Sequence, residues 1–385
     1  MKAEAPTDIV AILSSVLPGM IKILIDTDRI SAVASTISVH ILMPTFHWKG
    51  FPHNVRPGTL RIMQTMSRVT EASRTWKKDV AEAFNDSRFF HTRPLSLVEN
   101  GWMPILRQWT LTDKERMPDI VARLTAPTTA GIVFGVGASS ARLEADRKAQ
   151  LNLRRIALLI LSTEDDTSVP YMKLIQERLA DLLNATASSS PSSATRAEVY
   201  MVFRTLVLKT TPVHLTSLWP VINSELHEAL ASIGQIASRE TYNITSILQA
   251  AKLLDTLILV GPDDFQLREW LYITDTIDAV YRPPSWKPVA LVDELAAILD
   301  SEASVIHSAA GHVGHDASNK GITPLLRWED THGVPREKLL DHVLRPFLRN
   351  LSINAFESMY GMETVDKKAC CEEVLKDLFD DSTLV

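Results

Sequence analysis

The sequence predicts an all-α chain, built as an irregular α-solenoid or stacked helix-pair array of the HEAT or armadillo kind, and three observations carry that prediction. Apolar residues recur at the helical interval through most of the 385 residues. Only 14 glycines occur, about half the usual frequency, which argues against a fold built on tight β-turns. Prolines at Pro18, Pro44, Pro57, Pro94, Pro127, Pro170, Pro212, Pro220, Pro262 and Pro335 each fall near a point where the periodicity restarts. The chain therefore reads as many short helices joined without strands. No fixed repeat length is visible, and no shift in composition divides the chain, so 1–385 is read as a single helical domain.

The opening segment, Met1 to Met20, carries Glu4 and Asp8 where a signal peptide needs a basic lead and a clean apolar run. Ile30 to Trp48 lacks Asp, Glu, Lys and Arg but is interrupted by serines, His40 and Pro44, and Thr125 to Ala141 is rich in Gly, Pro and Thr. Neither is expected to span a membrane. Thr112 followed by Glu115 predicts a capping box ahead of Ile120, Val121 and Leu124. A helix over Ala141 to Leu161 places Ala149, Leu153, Ile156 and Ile160 on a core-facing side.

Between Tyr171 and Leu183, Met172, Ile175, Leu179 and Leu182 face inward while Lys173, Gln176, Glu177 and Asp181 face out. Ala197 to Leu208 is apolar nearly all round and is expected to be a central helix. Pro220 is expected to open a helix whose apolar face Trp219 anchors. Ile244, Ile247, Leu248, Ala251, Leu254 and Ile258 mark another helix, and Leu291, Leu295, Ile298 and Leu299 another. Val365 to Phe379 is amphipathic, with Val374, Leu375 and Leu378 on a stripe beside Cys371. Docking on its own domain is expected, with pairing to a second chain as the alternative. Two segments, 186–195 and 301–321, read as flexible surface loops.

A net charge of −6 leaves no basic excess for a phosphate backbone, so no nucleic-acid partner is expected. The two cysteines are the adjacent Cys370 and Cys371, which suits a reducing compartment better than a disulfide framework; burial is their expected role, with acylation the alternative. The chain contains no G-x-S-x-G elbow, no G-x-x-x-x-G-K-[ST] loop and no H-E-x-x-H helix. Gly135-Val136-Gly137-Ala138-Ser139 lacks the lysine of a phosphate loop, and His307, His312, His315 and Asp316 offer metal donors by type without a second anchoring element. The terminal Ser382-Thr383-Leu384-Val385 has the pattern that PDZ domains capture. The expectation is a non-enzyme with no catalytic residue, no metal and no cofactor.

Two basic clusters are candidate lipid-binding sites. Trp76 stands beside Lys77 and Lys78 with Arg74 just upstream, a composition suited to anionic headgroups. On the Ala141–Leu161 helix, Arg147, Lys148, Arg154 and Arg155 lie opposite the core face with Leu151 and Leu158 among them and Glu144 nearby. The alternative is that Trp76 is buried, and that the two leucines pack on a second neighbouring helix.

Five blocks, in order, resemble the C-terminal region of the Dopey family. They are WKKDVAEAFNDSRFF from Trp76, RRIALLILSTEDD leading to YMKLIQERLADLL from Arg154, and VYMVFRTLVLKTTPVHLTSLWPVINSELHEAL from Val199. The last two are ILQAAKLLDTLILVGPDDFQLREWLYITD from Ile247 and LLDHVLRPFLRNLSINAFESMYGM from Leu339. The resemblance implies a C-terminal piece of a larger peripheral membrane protein, cytoplasmic and found on Golgi and endosome membranes. It implies a scaffold or adaptor in endosome-to-Golgi retrograde transport and Golgi organisation. The implied partners are a large Arf-exchange-factor-like scaffold, an aminophospholipid flippase, phosphoinositide membranes and kinesin. No residue inherits a role from it. The alternatives from other classes are a helical module that forms homodimers and a lipid-directed hydrolase with an unfamiliar site.

Overall fold

The computed structural model describes residues 8–23, 26–124, 138–184, 191–234, 241–273, 290–302, 321–360 and 364–381. The chain is all-α: among the described residues there is no strand, and an isolated bridge joins Ile322 to Val365. Where the sequence suggests one continuous domain, the contacts divide the chain into two compact units. The first takes the residues up to Ile120 with Leu161–Glu164 and Phe379–Asp381, and the second takes Val121–Ile160 and Asp165–Leu378.

In the first unit, α1 (Ile9–Ile23) packs on α4 (Pro57–Ser67), after α2 (Thr27–Ile37) and α3 (Met43–His47). Then come α5 (Ser73–Asn85), α6 (Leu95–Leu97), α7 (Met103–Thr112) and α8 (Arg116–Ala122, its last two residues counted with the second unit). Its core is aromatic: Phe84, Phe89, Trp102 and Trp109 meet edge to face at 5.1–5.9 Å between centroids, a geometry that aligns ring edges with ring faces. Trp76 is buried. Gly101 gives Leu60 room, since a Cβ there would push the Leu60 side chain aside.

The second unit holds α9 (Ala138–Ser162, its last two residues counted with the first unit), α10 (Met172–Leu183), α11 (Ser193–Lys209), α12 (Trp219–Ala231) and α13 (Ile244–Val260). The remainder are α14 (Asp263–Gln266), α15 (Leu291–Glu302), α16 (Trp328–Thr331), α17 (Arg345–Tyr360) and α18 (Lys367–Leu378). The helix expected to be central is so: Ser193 through Leu208 of α11 are all buried, with α13 and α18 packed against it. Gly261 ends α13 in the left-handed region at φ 54°, its N–H returning to the Leu257 carbonyl at 2.9 Å.

Pro220 lies in the first turn of α12 and Trp219 is buried with Ile222, Leu226 and Leu230, as the sequence predicts. The inward residues of α10 are also those expected. So are those of α9, where Leu151 and Leu158 are buried as well, because this stretch is covered on all sides. The stripe of Val374, Leu375 and Leu378 on α18 is buried within the chain.

Four expectations are corrected. Thr112 does not cap α8; its hydroxyl donates back to the Gln108 carbonyl at 2.8 Å as the end of α7, and α8 starts at Arg116. Residues 193–195 are not loop but open α11, which Ser192 caps by accepting from the Thr195 N–H at 3.2 Å, and 186–190 lie outside the described residues. Residues 301–302 finish α15, and 303–320, with His307, His312, His315 and Asp316, lie outside the described residues, as do Gly135–Gly137 and the Ser382–Val385 tail. Finally, prolines do not always restart a helix. Pro18 sits inside α1, and Thr27 to His47 runs as one 21-residue helix through Pro44.

That helix is the described run long and apolar enough to cross a membrane by length and composition, with Ile37, Leu42 and Phe46 buried in the unit. Its passage through proline has a local cause. The turn Ser38–Leu42 widens to π, and Met43, just before Pro44, donates to the carbonyl five residues back. The same device precedes Pro104, at Val98–Trp102, and Pro346, at Leu340–Leu344. A proline ring clashes with the carbonyl four residues back, and the wider turn moves that carbonyl aside.

Trp219→Ala should cost about 3–5 kcal/mol in urea denaturation, while Pro220→Ala, which removes no hydrogen bond, should cost less than about 1 kcal/mol.

Candidate functional site

The chemically dense place in the second unit is a buried chain of ion pairs. Arg154 of α9 grips Glu198 of α11 through Nε and Nη2, at 2.8–3.0 Å, and both side chains are fully buried. Its Nη1 donates to the Leu378 carbonyl at 2.7 Å, so a guanidinium satisfies one of the orphan carbonyls at the end of α18. One residue earlier, Asp377 bridges two cations: Oδ2 accepts from Arg204 Nη1 at 2.6 Å and Oδ1 from Lys252 Nζ at 2.7 Å. Arg204 also donates to Gln249 at 3.1 Å, and Asp255 accepts from the Leu326 N–H at 3.0 Å.

The three carboxylates answer differently to burial. Burial would raise Asp377, but Lys252 and Arg204 overcome it and hold the carboxyl below its ordinary range. Asp255 is pushed up to about 6 by burial, which the Leu326 amide and Arg204 only partly offset. Glu198 is also raised by burial, against Arg154. Cys370 nearby is pushed up to about 12, chiefly by burial, so its thiol is a packing group rather than a nucleophile. A satellite lies along α11, where Arg196 pairs with Glu225 at 2.6 Å and Tyr200 donates to the same carboxylate at 3.0 Å.

These groups tie helices to one another. In the first unit, an open cleft of about 330 Å³ is bordered by Arg68, Glu99, Gln108 and Arg107, the last paired with Glu164. Ser67 and Ser162 also line it, and the Ser67 hydroxyl donates to the Gln64 carbonyl at 2.8 Å. Asp79 of α5 is buried, accepts from Ser38 Oγ at 3.0 Å, and is pushed up to about 6 by burial. Among the described residues no group of His, Cys, Asp and Glu is placed to hold a metal.

The lipid-binding candidates separate. Arg154 is withdrawn from solvent by Glu198, and Arg155 is buried and donates to Asn152 Oδ1 at 2.9 Å, so neither faces a membrane. Arg147 and Lys148 are exposed on the third turn of α9, Lys148 pairing with Glu144 at 2.6 Å. On α5, Arg74 and Lys78 are exposed, while Lys77 is half-buried and donates to the Thr112 carbonyl at 2.8 Å. Trp76 is buried, so the indole does not accompany these cations at the surface.

The family profile described as DOP1 C-terminal matches residues 2–361. The chain belongs to the DOP1 family. It is 48% identical to Protein dop1 of Emericella nidulans over 98% of this chain and 20% of the relative. It is 26% identical to Protein DOP1 of Saccharomyces cerevisiae over 91% of this chain and 20% of the relative. Protein DOP1B of Mus musculus is 27% identical over 56% of this chain and 10% of its own length. The chain thus spans about a fifth of the length of the first two DOP1 relatives. No solved structure matches it. The Dopey resemblance read from five blocks is therefore the family of the chain, and the description of the DOP1 profile names no activity.

Two outcomes test the buried charges. Arg154→Ala strands Glu198 and should cost about 3–5 kcal/mol in urea denaturation, while Lys148→Ala at the exposed pair should stay within about 0.5 kcal/mol. Asp79 and Asp255 have folded pKa values near 6 against an ordinary 3.8, so the folded state binds more protons between those limits. Stability should therefore fall as pH rises from about 4 to 6. Below about 4 the slope should reverse, as Asp377 gains a proton and its pairs are lost. Melting temperature against pH reads both limbs, and Asp79→Asn should flatten the upper one.

Proposed function

We propose that the chain serves as a non-catalytic scaffold or adaptor in membrane traffic, in endosome-to-Golgi retrograde transport and Golgi organisation. Membership of the DOP1 family is the observation that carries this reading. The partners proposed are a large Arf-exchange-factor-like scaffold, an aminophospholipid flippase and kinesin, met on the cytoplasmic face of Golgi and endosome membranes. A helical second unit whose buried charges are committed to one another suits such a role, because its packing is fixed and it can present a constant surface to a partner. Phosphoinositide membranes are the proposed lipid ligand, met through Arg74 and Lys78 of α5 and Arg147 and Lys148 of α9.

The purified chain is tested for binding to the exchange-factor-like scaffold and for flotation with phosphoinositide vesicles. Each basic side chain near an anionic surface contributes about 1 kcal/mol, so Arg74→Glu with Lys78→Glu should weaken vesicle binding by at least ~30-fold. Raised salt should weaken the wild type as well. No association with the scaffold by this chain or by a full-length DOP1 protein, together with unchanged flotation of the variant, would overturn the reading.

A further inference from the structure

The first helix has a face that nothing among the described residues of its unit covers. Val10, Leu13, Leu17 and Ile21 turn toward the unit, and α1 there packs on α4. Ile9, Ile12, Val16, Met20 and Ile23 are centred about 100° around the helix from that side and are 40–79% exposed. At about 100° per residue these five fall within an arc of about 80°, forming one continuous apolar stripe along the helix. The helix also walls an apolar groove with α2 and α4, lined by Leu17, Ile21, Ile30, Val33, Ile37 and Met66. Scattered exposed leucines need no explanation, but an aligned stripe of this kind marks a binding face.

What covers it follows from charge, area and connectivity. The cation of α1, Lys22, lies about 120° around the helix from the centre of the stripe. The flanking Asp8, Asp26 and Asp28 are acidic, and two of them are paired, to Arg56 and Arg29. An anionic membrane surface is therefore poorly matched. The helix has 15 residues and is about 22 Å long. One such stripe buries a few hundred Å² at most, short of the ~800 Å² per partner that a free-standing dimer needs. A tethered segment needs less, because its effective concentration is of millimolar order.

The two fungal relatives supply that segment. The matched part is 20% of each relative's length, and the family part it corresponds to is the C-terminal one. Their remaining four-fifths is joined on the amino-terminal side, next to the counterpart of α1. We propose that the Ile9–Ile23 stripe is the docking face for an apolar-faced helix from the amino-terminal region of a DOP1 polypeptide, so that α1 continues the helical stack across the junction. Helix-in-groove docking is read by anchors at i, i+3, i+7 and i+11, and Ile9, Ile12, Val16 and Met20 have that spacing.

The test compares amide hydrogen exchange of α1 in this chain with that in a full-length chimera in which this chain replaces the matching part of the Emericella nidulans relative. Exchange should be at least tenfold slower in the chimera. Ile12→Glu, Val16→Glu and Met20→Glu together should abolish the difference, while leaving the circular dichroism and melting temperature of the 385-residue chain unchanged. Equal exchange in chain and chimera would overturn the proposal. So would a dimer of the 385-residue chain in light scattering that the triple variant dissolves, which makes a second copy the occupant. Flotation of the chain with neutral phosphatidylcholine vesicles, lost in the same variant, would assign the stripe to lipid and overturn it too.

Discussion

Asp377 ties the second unit together. Its carboxylate holds Arg204 of α11 and Lys252 of α13 at once, and the next carbonyl, Leu378, receives Arg154 of α9. Each ion taken out of water carries a desolvation cost of several kcal/mol, which only close and complete pairing offsets. That condition sets the register of four helices. Sliding α18 by one residue would rotate Asp377 by about 100° and leave two buried cations without their carboxylate. An all-apolar seam would tolerate such a slip more cheaply, since burial is non-directional. The ion chain therefore contributes uniqueness of packing more than net stability, and the apolar residues around it, Leu153, Ile156, Val202 and Leu254 among them, supply the driving force.

The first unit is held by other means. Its buried rings are locked by shape, and its buried carboxyl, Asp79, has a hydroxyl for company rather than a cation. Asp79 meets Ser38 in the π-turn that admits Pro44. The turn that accommodates proline thus also aims a hydroxyl at a buried carboxylate, so a backbone irregularity and a side-chain need are met at one position. The π-turn before Pro104 brings Gly101 against Leu60 in a similar way, with the missing Cβ permitting the approach.

The fold class and the family were legible from the residues, because both rest on local pattern. Met172, Ile175, Leu179 and Leu182 declare α10 within one window, and Trp219-Pro220 declares the start of α12 within two residues. The continuous helix through Pro44 was not legible, because a proline ordinarily argues for a break and the π-turn that admits it leaves no compositional mark. The division into two units was hidden because the first borrows Leu161–Glu164 and Phe379–Asp381 from distant stretches of the chain. The ion chain was hidden for the same reason: Arg154 finds Glu198 44 residues away and Leu378 224 residues away.

A charged residue opposite an apolar face is nonetheless ambiguous only until its own neighbours on the helix are considered. Lys173 and Asp181 of α10 have Glu177 four residues away, so a polar strip accompanies them to solvent. Arg154 has Gln150, Leu151, Ala157 and Leu158 at the same offsets, and Arg204 has Tyr200, Met201, Val207 and Leu208. A lone cation in such a setting has no wet strip to join, and must meet a carboxylate supplied by another helix. Glu198, between Ala194 and Val202 on a helix apolar nearly all round, signals the same need with the opposite sign. The rule has a limit set by Lys252, whose neighbours Gln249, Asp255 and Thr256 imitate a surface strip although all are buried. There the polarity belongs to the interior, because Asp377 and the Leu326 amide arrive from outside the helix to complete it.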